Sequence, residues 1–190
     1  MVDNEVLQQV IEKLGYTNYA EIVNEFQHKV YSTAYTFTQN PHDAEDLSQE
    51  IFWLIYQNLQ TFKMDSKLST WIYRIAVNKC LMHRRKEARR NNIAKILPMN
   101  KEISNSLADK NQVDMDVIKG EEKDILYKAI ECISIKYATV ITLRYMQDLG
   151  IKEIGQILNL PPRTVETQLF RAKAKLKLSL DTLGYNMEGK

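Results

Sequence analysis

Glycine and proline are scarce, at 6 and 4 in 190 residues. A turn-rich β-protein needs both, so their shortage favours helices. Cysteine is scarcer still. Cys80 and Cys132 lie far apart without CxxC spacing, which excludes a disulfide framework and reads as two small buried hydrophobes in a reducing compartment. The histidines, His28, His42 and His83, are equally scattered. They form no catalytic pair and no metal set with the cysteines, so neither a cofactor nor a metal is expected. No stretch approaches the ~20 apolar residues of a membrane-spanning helix. The N-terminus also lacks a charged segment followed by an apolar one, and a cytoplasmic protein without a membrane span is expected.

What is present is ordinary in total and uneven in arrangement. Hydrophobic residues make up 44% and charged residues 26%, enough for a real core in one large domain or two small ones. The formal net charge is only +2. Yet Lys79–Lys95 carries seven Lys/Arg against one Glu, and Pro161–Leu178 carries five against one. Between them, Glu102–Asp124 holds seven acids against three lysines. Basic, acidic, basic is the order of two nucleic-acid-facing lobes joined by an acidic connector.

Helical periodicity organises both lobes. In "YAEIVNEFQHKVYSTAYTFT" the residues Ile22, Phe26, Val30 and Ala34 recur four apart. Asn40-Pro41 reads as a helix start, with Asn at the N-cap, Pro at the first position and acids in the first turn. Leu47, Ile51, Ile55 and Phe62 then form an apolar stripe beside a polar strip of Asp43, Asp46, Glu50 and Gln57. "KMDSKLST" is a polar loop in which Ser69 or Thr70 caps the next helix. That helix sets Ile72, Ile75 and Ala76 on one face and becomes basic towards its end. Periodicity fades from Ile93 to Gly120, a linker. A second lobe follows to about Leu183, with a core pattern through Leu126, Ile130, Ile133, Val140, Leu143 and Tyr145.

"IKEIGQILNLPPRTVETQLFRAKAKL", Ile151 to Leu176, has the grammar of a helix-turn-helix. Ile151, Ile154 and Leu158 mark a short helix, with small Gly155 where a partner helix would cross. Pro161 and Pro162 break it, and Pro162 can open the second helix. That helix is expected to bury Val165, Leu169 and Ala172, and to turn Arg163, Thr164, Glu166, Thr167, Gln168 and Arg171 outward. In this architecture the outward side chains reach base edges in the major groove. Lys173, Lys175 and Lys177 then meet phosphates.

Together these stretches resemble the sigma-70 family, specifically its two-domain extracytoplasmic-function (ECF) sigma factors. "DAEDLSQEIF" (Asp43–Phe52), "STWIYRIAVNKCLMHRRK" and "TVITLRYMQDLGIKEIGQILNLPPRTVETQLFRAKAKL" are similar to family segments in the same order, over about Tyr19 to Leu180. The resemblance implies an all-α fold of two helical domains. These are a region-two domain at 19–92 and a helix-turn-helix region-four domain at 121–183. Residues 1–18 are an extension without a counterpart, 93–120 the linker and 184–190 a tail.

The family's function implies no enzymatic activity and two partners, core RNA polymerase and promoter DNA, with an anti-sigma factor as the expected inhibitor. Asp43, Asp46, Gln49, Glu50 and Trp53 are expected to dock on the β′ clamp helices. Lys63, Ser66, Lys67, Trp71, Tyr73, Arg74, Asn78, Lys79, Arg84 and Arg85 are expected to hold the melted −10 element, where aromatic surfaces and cations suit single strands. Trp71 and Tyr73 can equally be core aromatics. Arg163, Thr164, Glu166, Thr167, Gln168, Arg171, Lys173 and Lys175 are expected at the −35 element, and this lobe also meets the β flap. Departures stand out: "ISIKYA" (Ile133–Ala138) lacks the proline of many relatives, Pro161 replaces a common serine cap, and Glu166 and Gln168 stand where basic residues are frequent. The rival readings are a stand-alone helix-turn-helix regulator and a nucleic-acid enzyme. The second is disfavoured, because the exposed acids lie on one helix with no histidine or metal partners.

Overall fold

Leu7 and Ile11 bury one face of the first helix, α1 (Asn4–Lys13), within a stretch that carries no family signature. The structure, a computed structural model, describes residues 4–96 and 120–185, with side chains for 4–90 and 125–185. Most of the expected linker lies outside the described residues, as do 1–3 and the end of the tail. Among the described residues every regular element is helical.

Helix α2 (Tyr19–Thr38) begins at Asn18, whose side chain accepts from the Glu21 amide, and buries Ile22, Phe26, Val30 and Ala34 as its periodicity requires. Asn40 Oδ1 accepts from the Asp43 amide to start helix α3 (Pro41–Asn58), with Pro41 in the first turn where its missing N–H costs nothing. Leu47, Ile51 and Ile55 are buried along α3. The helix stops before Phe62, which follows a 3-10 turn (Leu59–Thr61) yet stays in the core with its ring 5.3 Å from that of Trp71. α1 packs against this turn.

Helix α4 (Leu68–Ile96) starts ahead of Ser69 and Thr70, so both lie inside it and neither caps it. It buries Ile72, Ala76 and Cys80, leaves Ile75 half-buried, and carries its basic end past residue 92. Burial pushes the Cys80 thiol up to about 12, so it behaves as a small hydrophobe. Cys132 departs from expectation and is exposed.

The second lobe holds α5 (Gly120–Glu131), α6 (Ile135–Ile141), a π-turn (Thr142–Met146), α7 (Ile151–Leu158) and α8 (Pro162–Thr182). Without the family proline, α6 begins after Ser134. Ile130, Ile133, Val140 and Leu143 are buried, but Tyr145 is 53% exposed. The wider π-turn adds a residue to the turn and advances the helical phase, carrying Tyr145 off the core face. Pro161 and Pro162 start α8 as expected. Gly155 has a different purpose from the one expected. A Cβ there would stand 2.7 Å from the Leu160 carbonyl oxygen, so its smallness admits the turn between α7 and α8 rather than a crossing helix.

The lobes share a continuous hydrophobic core, with α4 against α7 and α2 against the second lobe's first turns.

Candidate docking and nucleic-acid interfaces

Helix α3 presents the first candidate surface. Asp43, Asp46, Gln49 and Glu50 are all exposed, and Trp53 continues the face at 60% exposure. They share a face because their spacings of three, four and seven residues match the helical turn. Trp53 stacks on Tyr56 at 5.9 Å between centroids, and Tyr19 meets Tyr56 edge-on at 5.1 Å. The Tyr19 hydroxyl donates to the Phe52 carbonyl at 2.6 Å and fixes the wall of an open groove of about 760 Å³ between α2 and α3. An acidic strip beside an aromatic groove suits a partner that is both basic and apolar.

Glu50 is not a free acid. Lys79 Nζ from α4 lies 2.6 Å from Glu50 Oε2. The hydrogen bond from Lys79 holds the Glu50 carboxyl below its ordinary range, against the opposing effect of partial burial.

The second surface is the loop before α4 and the helix itself. Lys63, Lys67, Arg74, Asn78, Arg84 and Arg85 are exposed, while Ser66 and Lys79 are half-buried. Met64 takes a left-handed backbone with φ 58° and exposes 42% of its surface at the loop tip. Trp71 is half-buried on Phe62. Tyr73 is 1% exposed, edge-on to Phe26 at 6.4 Å, and its hydroxyl donates to Gln147 Oε1 at 3.1 Å. Of its two readings the core one describes this structure, since a buried ring offers no face to a splayed base. Position explains it: Tyr73 follows Ile72 and lies three residues before Ala76, both fully buried.

The third surface is α8. Val165, Leu169 and Ala172 are buried, and Arg163, Glu166, Thr167 and Arg171 point outward, as expected. Thr164 is half-buried. Gln168 contradicts its expected outward position and is 6% exposed. It stands three residues after Val165 and four before Ala172, both core residues, so the helix carries it inward. Phe170 was not among the expected contacts and is 77% exposed. Its signal was available: it falls seven residues after Arg163, on the same outward line. Lys173 Nζ sits 5.4 Å from the Tyr145 ring and Lys175 Nζ 5.9 Å from the Tyr137 ring. Cation–π contact of this kind restrains an otherwise mobile lysine. The helix thus offers arginine donors, the Glu166 carboxylate and Thr167 hydroxyl as acceptors, and one apolar ring, backed by cations. That is the assortment needed to read base edges and hold phosphates.

Comparison with known proteins fits this arrangement. Residues 22–90 match the family described as Sigma-70 region 2, and residues 123–176 match Sigma-70, region 4. The chain is 33% identical over 168 residues to the ECF RNA polymerase sigma factor SigW of Bacillus subtilis, covering 87% of this chain and 90% of that protein. It is 30% identical over 173 residues to the ECF RNA polymerase sigma-E factor of Escherichia coli K12, covering 90% of each. Among solved structures, it resembles the sigma factor RpoE in complex with the anti-sigma factor NepR from Bartonella quintana. The TM-score is 0.64 at 18% identity, over 85% of this chain and 97% of that one.

Proposed function

The chain belongs to the sigma-70 family, in its extracytoplasmic-function branch, and on that premise we propose how its surfaces divide the work. It is an alternative sigma factor, a non-enzymatic initiation factor that directs RNA polymerase to promoters. Residues 19–92 act as the region-two domain and 121–183 as the region-four domain, joined by the acidic linker at 93–120.

The acidic and aromatic face of α3 docks on the β′ clamp helices of core polymerase. Asp43, Asp46 and Gln49 steer and align the encounter, and Trp53 supplies apolar contact. The loop Lys63–Lys67 and the exposed side of α4 hold the separated −10 strand, with Arg74, Asn78, Arg84 and Arg85 along its backbone. Helix α8 enters the major groove at the −35 element. There Arg163, Glu166, Thr167, Arg171 and Phe170 face base edges, and Lys173 and Lys175 face phosphates. Region four also meets the β flap. A cognate anti-sigma factor holds the protein inactive until a signal releases it, and the chain works in the cytoplasm beside the polymerase. Among the described residues no helix is long and apolar enough to cross a membrane.

The observation that carries this reading is the presence, in one chain, of the exposed α3 face and the exposed α8 face. A stand-alone regulator needs only the second. The test is co-elution with core polymerase on a sizing column. A stable complex, weakened when Asp46 and Glu50 are both reversed to Lys, supports the docking face; failure to co-elute at low salt favours the stand-alone regulator.

A further inference from the structure

No polymerase-facing or promoter-facing surface uses helix α1, yet local bonds hold it firmly in place. Gly15 closes it with φ 85°, a left-handed backbone in which the Tyr16 amide donates to the Ile11 carbonyl at 3.1 Å and the Gly15 amide to the Glu12 carbonyl at 2.9 Å. A glycine end of this kind turns the chain sharply towards α2. Gln8 Nε2 spans the turn, donating to the Thr17 carbonyl at 3.0 Å and to Glu12 Oε1 at 2.9 Å. The Tyr16 hydroxyl donates to Glu25 Oε2 at 2.6 Å, and the Thr17 amide to Glu21 Oε2 at 2.7 Å. Ten residues are too few for a helix to persist alone in water, so its packing decides where it sits.

The face that buries Leu7 and Ile11 packs on the 3-10 turn Leu59–Thr61. In that turn Leu59 is fully buried, and the Phe62 amide donates back to the Leu59 carbonyl at 3.0 Å. The chain then leaves the core as the loop Lys63–Lys67. It is caught again at α4, where the Trp71 amide donates to the Lys67 carbonyl at 3.2 Å. Among the described residues the backbone from Lys63 to Ser66 pairs with no other backbone group. The loop therefore inherits its position from its two anchors. One is α4; the other is the 3-10 turn, over which α1 is laid. A loop that must be ordered on binding loses affinity for each residue it orders, and one held in advance does not.

We propose that α1 is a brace: by covering the 3-10 turn it fixes the upstream anchor of the −10 loop, so that Leu7, Ile11 and Gln8, which belong to no DNA-facing surface, set how well the separated strand is held. The inference rests on the assignment of that loop to the −10 strand. All three are positioning residues that act through the turn. A general structural role has a different signature, because it would weaken the α3 docking face of the same lobe along with the loop.

Full-length protein carrying both Leu7→Ala and Ile11→Ala tests it on three readouts. By hydrogen–deuterium exchange, amides at 59–67 should exchange about fivefold faster than in the wild type, with those of α3 unchanged. Affinity for core polymerase should stay within about twofold, while open-complex formation by the reconstituted holoenzyme, read by permanganate, falls roughly tenfold, a loss of ~1.4 kcal/mol. The conservative pair Leu7→Met and Ile11→Val should restore both exchange and opening. If the double variant does not fold, Gln8→Ala, which frees the turn after α1 without touching the core, takes its place in the same comparison. Unchanged exchange at 59–67 overturns the brace, as does faster exchange with undiminished opening. A loss of core affinity in step with opening also overturns it, since α1 would then support the whole lobe. Lys63→Ala with α1 intact tests the underlying assignment separately. Undiminished opening by that variant counts against the −10 loop, while the exchange rates still decide whether α1 fixes it.

Discussion

Lys79 of α4 and Glu50 of α3 form an ion pair at 2.6 Å, which ties the helix proposed to dock on polymerase to the helix proposed to hold the −10 strand. Glu50 keeps 61% of its side chain exposed, and a pair this open contributes less than ~1 kcal/mol after screening. Its pH dependence has a definite sign. The Glu50 carboxyl is lowered chiefly by the Lys79 hydrogen bond. The contribution is therefore complete above the ordinary carboxylate pKa and is lost as pH falls through the lowered folded value.

That pair ranks the acids of the docking face. Glu50 already has a cation of its own, whereas Asp46 is exposed with no ion pair among the described residues. Asp46→Lys should therefore weaken core polymerase binding more than Glu50→Lys, by roughly fivefold for a change of ~1 kcal/mol. The loss should fall mainly on the association rate and shrink as salt rises. Surface plasmon resonance at two ionic strengths measures it. Equal, salt-independent losses contradict the ranking.

Asn78 is proposed to hold the separated strand, and its neighbour Lys79, paired with Glu50, was expected to do the same. Replacing both with alanine should leave binding to closed duplex within about twofold, while open-complex formation falls roughly tenfold, for a loss of ~1.4 kcal/mol. Permanganate reactivity of thymines near the start site reads the opening directly. Undiminished reactivity in the double variant removes these two residues from the melting role.

On α8 the outward residues should specify and the lysines should only hold. Arg suits the guanine edge, Glu accepts from cytosine N4, and an apolar ring packs on the thymine methyl, each worth ~1–3 kcal/mol of discrimination. Arg171→Ala, Glu166→Ala and Phe170→Ala should each relax one −35 position. Lys175→Ala should lower affinity for all sequences alike and flatten the salt dependence. Gln168→Ala should change stability and leave the base preference intact, since Gln168 faces the core. A randomised −35 library selected with each variant distinguishes these outcomes. Altered preference in Lys175→Ala, with none in Glu166→Ala or Arg171→Ala, would misplace the helix.

The helix faces were legible because burial follows a 3.6-residue period. Ile22 to Ala34 on α2, Leu47 to Ile55 on α3, and Val165 with Leu169 and Ala172 on α8 all fell on the face their spacing predicts. Asn40-Pro41 and Pro161-Pro162 marked their helix starts for local reasons of capping and fixed backbone angle. Tyr145 was misplaced because a π-turn breaks the period from which the expectation came. Gln168 was misplaced because its polar type outweighed its position. The polar contact between the lobes was invisible for another reason. Tyr73 and Gln147 are 74 residues apart, and nothing periodic links them.

Gly155 supplies a stability test of the helix-turn-helix. A methyl group there meets the Leu160 carbonyl oxygen at 2.7 Å, and that oxygen is backbone, unable to swing aside. Gly155→Ala should destabilise the second lobe by roughly 1–3 kcal/mol, as overpacking does. Thermal unfolding followed by circular dichroism measures it, with −35 duplex binding falling in step. An unchanged midpoint contradicts the geometry of this turn.

Promoter direction itself is tested most directly by sequencing the 5′ ends of transcripts made from genomic DNA by core polymerase with and without this protein. A new set of start sites sharing a −10 and a −35 element at constant spacing is expected. Their −35 consensus should shift when Glu166→Ala protein is used. Start sites identical to those of core polymerase alone would contradict it.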